Sequence, residues 1–218
     1  IGEILNALEH SSKADNTVVI FFADHGEGMG AHRLVTKYGV FYEESNRVPL
    51  LFALPGAKIN RRIGGVSSLL DLLPTMLDFS HISVPFDCKF SGHSQANVLR
   101  GADSSSASPY AAAEWQDEFR DYTVPGRMIC DESYKYVCYL EPDSEELFDL
   151  GRDRLEQKNL ARLPQYAPIL TKYRALLETH LAKTNDDFKR LACSDIAAYR
   201  KHPLGFWLHQ GPSAVEIY

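Results

Sequence analysis

The stretch TVVIFFADHGEGMGAHRLVTK, Thr17 to Lys37, decides the fold. It begins with TVVIFFA, an unbroken β-branched and aromatic run. That is the pattern of a strand covered on both faces, as in the middle of a parallel sheet. The run stops on Asp24 and His25, then breaks into a loop carrying Gly26, Gly28 and Gly30, with Lys37 beyond it. Open α/β sheets bind ligands outside the carboxyl ends of their strands. An acid and an imidazole at that point read as groups delivered to a cleft. A strand-end Asp also serves as a cap for the next turn or helix, and the dipeptide alone favours the cap.

Working outward, Ile1, Ile4, Leu5 and Leu8 recur on one helical face upstream. SSKADN separates that helix from the strand. The chain has 218 residues and is 44% hydrophobic, enough to bury a core in one large domain or a domain with a satellite. A net charge of −6 argues against a nucleic-acid partner, which calls for a basic patch. No run of about 18 apolar residues is present, so no membrane span is expected. The chain opens on Ile1 inside a helical pattern and is expected to be a piece of something longer. Cys88, Cys130, Cys138 and Cys193 form no zinc-type spacing. Cys130 and Cys138 fall on adjacent strands of an expected hairpin, where either a disulfide or two half-buried thiols fits.

Downstream, RGADSSSASPY (Arg100–Tyr110) reads as an exposed connection. It divides the chain into residues 1–103, the last part of an α/β core, and residues 104–218, an α+β subdomain. The short runs YAAAEW, YTVPGRMICD, YKYVCYL and ELFDL predict a small antiparallel sheet. PQYAPILTKYRALLETHLAKT places Ile169, Leu170, Tyr173, Leu176, Leu177 and Leu181 on one stripe, predicting an amphipathic helix packed on that sheet. PLGFWLHQGP near the end fits a cover over a cleft, an interface, or simple packing; residues 182–218 receive no role. There is no internal repeat.

The wider register changes the weight of Asp24-His25. DHGEGMGAHRLVTKYGVFYEESNRVPLLFALPG resembles the sulfatase family of the alkaline phosphatase superfamily. The matching features are Asp24-His25-Gly26, the glycines of the loop, Lys37 about a dozen positions on, and Tyr42-Glu43-Glu44-Ser45-Asn46-Arg47-Val48-Pro49. VSSLLDLLPTMLDFSHISVP resembles the family's following helix, with its Asp71-x-x-Pro74-Thr75 core. SGHSQANVLRG resembles the segment that closes the core domain. The run from Gly126 to Ala161 resembles the C-terminal hairpin, with Glu146-Leu147-Phe148-Asp149-Leu150 and Asn159-Leu160 as its signature. The resemblance extends to about Leu181. It implies an α/β fold: the C-terminal part of an alkaline phosphatase-like α/β core, plus a small antiparallel sheet packed with a C-terminal helix.

Sulfate monoesters resist hydrolysis because an anionic sulfuryl group repels nucleophiles. A metal neutralises that charge, and cationic donors meet the charge that builds on the leaving oxygen. The resemblance implies that Asp24 and His25 hold a divalent cation, most commonly Ca²⁺, with Mg²⁺ or Mn²⁺ as substitutes. Hard cations prefer oxygen and imidazole is commoner on transition metals, so Asp24 is the firmer ligand and His25 the weaker. It implies that Lys37 contacts the sulfuryl group and the leaving oxygen, with His25 beside the reacting centre. The family's nucleophile is a formylglycine made from Cys or Ser within Cys/Ser-x-Pro/Ala-x-Arg. The four cysteines read CKFSG, CDESY, CYLEP and CSDIA, so none has that context. The resemblance therefore implies the C-terminal portion of a sulfatase, with the nucleophile in an N-terminal half that this chain lacks, and no turnover from this chain alone. The implied partners are that half and a sulfated small molecule or sugar. Family habit points to a periplasmic or secreted setting; oligomeric state is open. Two other readings stand beside it: a phosphonate or phosphate ester hydrolase of the same superfamily, and a non-catalytic sulfatase-like module.

Other residues divide between function and structure. Glu27 fits a substrate hydroxyl or plain solvation. His32, between the glycines and Lys37, fits either a sugar-substrate pocket or an ordinary loop position. Glu43, Glu44 and Arg47 read as a structural network ordering the loop before the next strand. Asp71, on an apolar helix, reads as a cap or an ion-pair partner. His93 and Arg100 lie in a linker-like segment and receive no role, and His81, His180, His202 and His209 show no ligand spacing.

Overall fold

A computed structural model describes residues 1–37, 39–57, 60–83, 88–102, 108–115, 125–140 and 144–188. In chain order its helices are α1 (Gly2–Glu9), α2 (Glu43–Asn46), α3 (Leu72–Phe79), α4 (Ala96–Arg100) and α5 (Ala167–Thr184). Its strands are β1 (Val19–Phe22), β2 (Leu50–Ala53), β3 (Ala111–Trp115), β4 (Gly126–Cys130), β5 (Tyr134–Tyr139) and β6 (Glu145–Asp149). Contacts divide the chain into two units: Ile1–Asp24 with Val48–Ser108, and His25–Arg47 with the chain from Pro109 on. A cut at 103/104 is thus not the division the contacts make, because the glycine-rich loop groups with the C-terminal sheet. Cys193, His202, His209 and PLGFWLHQGP lie outside the described residues, as do residues 103–107 of the expected connection.

In the first unit, β1 pairs with β2 in antiparallel register, Val19 opposite Ala53 and Phe22 opposite Leu50. The α/β class stands, but a parallel partner with cover on both faces is not what β1 has among the described residues. Phe21 and Phe22 each remain 46% exposed, and Leu51 57%. The apolar face of α1 forms as its spacing predicts, yet Ile1 and Ile4 are about three-quarters exposed. Asp71 is buried and organises this unit. Its carboxylate accepts from the backbone N–H of Ser68 (3.0 Å) and of His93 (2.8 Å) and from the Gln95 amide (3.1 Å). With Ser68 it completes a capping box ahead of α3. Thr75 adds a second tie, donating to the Asp71 carbonyl at 2.6 Å and accepting from the Gln95 N–H at 2.9 Å. The reading of Asp71 as a cap is what the structure contains.

The second unit is built on the predicted antiparallel sheet, in the order β3-β4-β5-β6. Side chains alternate between its two faces. On one face Ile129, Tyr136, Cys138 and Leu147 pack against Leu170, Tyr173 and Leu177 of α5. On the other, Met128 and Val137 pack against Phe41. Both faces are covered, which is why β4 and β5 are buried almost end to end. Arg127 grips Asp186 just past the end of α5 through Nε (2.5 Å) and Nη2 (3.1 Å). That guanidinium holds the Asp186 carboxyl below its usual range.

The register also corrects the possible disulfide. Cys130 lies opposite Lys135, and Cys138 lies opposite Arg127. The two are offset by three positions along the ladder, about 10 Å at the usual rise per residue, and a disulfide needs Cα atoms within about 7 Å. They also belong to opposite faces of the sheet, and neither forms a disulfide. Burial pushes the Cys130 thiol up to about 11.

Candidate functional site

Beyond β1 the chain passes through Asp24, exposed at the carboxyl end of the strand, and enters the second unit at His25. Nδ1 of His25 lies 2.8 Å from the Gly26 carbonyl oxygen. A carbonyl only accepts, so Nδ1 carries the proton and Nε2 presents a lone pair when the ring is neutral. The ammonium of Lys37, twelve residues on, meets that Nε2. The two predicted residues at the ends of the loop are therefore brought together.

The loop is compressed against α2. The Gly26 N–H donates to the Ser45 carbonyl at 2.8 Å. A Cβ at position 26 would stand 1.8 Å from the Glu44 carbonyl oxygen, so only glycine fits there. Gly28 is held the same way, since its Cβ would fall 2.7 Å from the Leu34 carbonyl oxygen and 2.8 Å from that of Thr36. Between these anchors and Lys37, three residues other than glycine adopt left-handed backbone: Met29 (φ 49°), His32 (φ 49°) and Arg33 (φ 62°). Such conformations cost on the order of 1 kcal/mol each or more, and persist where surroundings over-determine them.

His32 shows what does so. Its ring stacks on Tyr42 at 3.8 Å between centroids with 2° between planes, and Nε2 is 3.8 Å from Glu44 Oε2. Tyr42 in turn directs its hydroxyl to Glu146 at 3.4 Å. Burial, then the charges of Glu146 and Glu156, push the Tyr42 hydroxyl above its ordinary value. Burial, then the charge of Glu156, push the Glu146 carboxyl up to about 7. Glu27 is exposed and faces its neighbour's backbone, with Oε1 3.4 Å from the Gly28 N–H.

Beneath α2 lies a set of charges that sequence spacing does not reveal. Lys135, in the middle of β5 with its side chain 1% exposed, donates to Glu43 Oε1 at 2.7 Å and to the Phe41 carbonyl at 2.9 Å. It also pairs with Glu156 Oε1 at 2.8 Å, while Glu156 Oε2 accepts from the Glu43 N–H at 2.7 Å. Glu43 also meets Arg47 at 3.3 Å. The expected structural network of Glu43 and Arg47 is thus present, but its centre is a lysine from the sheet. The signal in the sequence was a lysine at an inward position of YKYVCYL, and nothing marked its partners.

As donors for a cation, Asp24 offers an oxygen of the type Ca²⁺ or Mg²⁺ prefers. His25 offers Nε2, the atom that meets Lys37. Among the described residues no group of three or more His, Cys, Asp or Glu side chains gathers so as to enclose a metal ion. The Nε2 of His25 cannot serve a cation and the Lys37 ammonium at once, which leaves the Asp24 carboxylate as the better-suited donor of the two.

Residues 1–82 match the Sulfatase family model. The whole chain is 40% identical over 220 aligned residues to the Delta 4,5-hexuronate-2-O-sulfatase of Bacteroides thetaiotaomicron. The chain belongs to the sulfatase family. Asp24, His25, His32 and Lys37 all fall within the family match. A solved 2-O glycosaminoglycan sulfatase superposes with a TM-score of 0.77 at 40% identity, over 88% of this chain and 42% of that one. A second structure, in complex with its substrate D-glucosamine-2-N,6-O-disulfate, superposes with a TM-score of 0.72 at 26% identity, over 86% and 38%. The chain spans about half the length of the sulfatases it matches, 45% of the hexuronate sulfatase, and corresponds to their C-terminal part. Among the described residues no helix is long and apolar enough to cross a membrane.

Proposed function

We propose that the full-length protein hydrolyses sulfate esters of sugars, and that this chain supplies one side of its reaction centre. The observation that carries the reading is the meeting of Lys37 with His25, the residue that follows Asp24 in the chain, within the stretch that matches the Sulfatase family model. Asp24 is assigned to a divalent cation, most simply Ca²⁺, whose chemistry would be to neutralise the sulfuryl oxygens and raise the reactivity of the nucleophile. Lys37 is assigned to the sulfuryl group and the leaving oxygen, where an ammonium opposes developing negative charge. His25, its ring fixed by the bond from Nδ1 to the Gly26 carbonyl, holds the Lys37 ammonium in place through Nε2 and stands beside the reacting centre. His32, stacked on Tyr42, is assigned to the wall of the sugar pocket.

The nucleophile, a formylglycine, is assigned to an N-terminal half outside this chain. The apolar surface left open on α1, β1 and β2 supports that half as a packing partner. The names of the relatives support a sulfated sugar as substrate, and a 2-O-sulfated uronate is the first compound to test. A periplasmic or secreted setting accords with such substrates.

The test uses the full-length protein with 4-nitrophenyl sulfate and with a 2-O-sulfated unsaturated uronate. Lys37→Ala should lower kcat/KM by roughly 10²–10³, the loss typical of a removed charge-stabilising donor. Asp24→Ala should lower it further and also reduce the calcium bound per protein, measured by elemental analysis. Turnover near wild type in either variant refutes the assignment. Hydrolysis of phosphonate esters in preference to sulfate esters would move the protein to the other branch of the superfamily.

A further inference from the structure

Buried Lys135 and Glu156 form a cluster of one cation and two carboxylates with the half-buried Glu43, which lies 92 and 113 positions before them in the chain. As a stabilising device such a cluster is inefficient, because desolvation consumes much of what the ion pairs return, and apolar replacements are often neutral or better. What it provides is geometry. The ammonium donates to the Phe41 carbonyl and to Glu43 Oε1, and stands in ion-pair contact with Glu156 Oε1 at 2.8 Å. Glu156 closes the ring by accepting from the Glu43 N–H. Glu156 itself is 2% exposed and holds left-handed backbone at φ 50°. Strain of that kind in a buried acid is tolerated where several contacts fix it together. From Glu43 the path to the reaction centre is short: α2 runs Glu43–Asn46, the Ser45 carbonyl takes the Gly26 N–H, and Gly26 takes the His25 ring.

We propose that Lys135 and Glu156 are positioning residues for sulfate ester hydrolysis, holding the His25–Lys37 pair in place through Glu43, Ser45 and Gly26. This rests on the reading of the site given above. Neither residue touches the substrate. They set where α2 lies, α2 sets where Gly26 lies, and the imidazole that meets Lys37 follows.

The test is made on the full-length, calcium-loaded enzyme with Glu156→Gln. The carboxylate turns one oxygen to the Lys135 ammonium and the other to the Glu43 N–H; an amide carries no charge and puts an NH2 group, a donor only, in one of those two places. Misplacement near 1 Å costs about 10² in rate, so kcat should fall about 10- to 100-fold with KM little changed. Hydrogen exchange of the peptide covering residues 24–30 should speed up while peptides from β4 and β5 stay protected. Lys135→Met leaves the buried Glu156 carboxylate without its cation and is expected to fold poorly. The double variant Lys135→Met/Glu156→Leu removes that burden and serves as the second arm, with the same loss of kcat expected. Wild-type kcat in either folded variant overturns the proposal. So does equal loss of protection in the loop and the sheet, which is the signature of a purely structural role. Should the wild-type protein fail to cleave any sulfate ester, the functional reading falls, and the exchange experiment still decides whether the cluster positions the loop.

Discussion

Replacing Gly26 by Ala tests the compressed loop directly. The added Cβ would sit 1.8 Å from the Glu44 carbonyl oxygen. Carbon and oxygen tolerate about 3.3 Å at closest, so the two backbones must part by roughly 1.5 Å. The Gly26–Ser45 hydrogen bond, 2.8 Å in the structure, does not survive that shift. Its net loss costs about 1 kcal/mol, and the overpacking a further 1–3 kcal/mol. In a unit of this size each kcal/mol lowers Tm by about 2–4 °C. His25 bonds the Gly26 carbonyl and must follow the displaced backbone, which carries Nε2 away from Lys37. A displacement of that size costs about 10² or more in kcat/KM. The assays are the thermal midpoint and 4-nitrophenyl sulfate hydrolysis by the full-length enzyme. Gly2→Ala is the control, because a Cβ there meets nothing within 4 Å. A Gly26→Ala protein with wild-type midpoint and wild-type turnover would refute the compression argument.

Two further outcomes follow from the buried acids. Glu146 ordinarily titrates near 4.5 but is pushed up to about 7 in the fold, so between those values the native state holds a proton the unfolded chain has released. Stability should therefore fall as pH rises through that window, by at most about 3 kcal/mol; Glu146→Gln should flatten the curve in urea unfolding, and an unchanged slope sinks the assignment. Asp71→Ala strands three donors, the Ser68 and His93 N–H groups and the Gln95 amide, and should cost roughly 3 kcal/mol, read as a lowered midpoint with the exchange of sheet β3–β6 unaffected.

What could be read from the sequence divides by the range of the contacts involved. The stripe on α5 is a periodic pattern within one element, and Leu170, Tyr173 and Leu177 are buried as it requires. The capping role of Asp71 is local to Ser68, three residues away. The approach of Lys37 to His25 spans twelve residues and follows from a motif whose register is itself the signal. Strand partnership is another matter. TVVIFFA announces a strand with two apolar faces, but only the ladder shows that its described neighbour is β2 and antiparallel. Hairpin register decides the cysteines in the same way, because adjacent strands can carry Cys130 and Cys138 on opposite faces.

Lys135 and Glu156 were illegible for a physical reason. A lysine in a strand is ordinarily solvated, and an acid in DRLEQKNLA is ordinarily a cap or a surface charge. Each becomes a buried partner only because Glu43 is delivered to the sheet from 92 and 113 positions away. The grouping of His25–Arg47 with the C-terminal sheet has the same origin. The Asp24–Lys37 motif is compact in sequence, but the lysine that meets α2 through Glu43 lies 92 residues downstream of it. Substitutions beneath α2 should therefore register at the His25–Lys37 pair before they register at residues of the first unit, even though Asp24 is next to His25 in the chain.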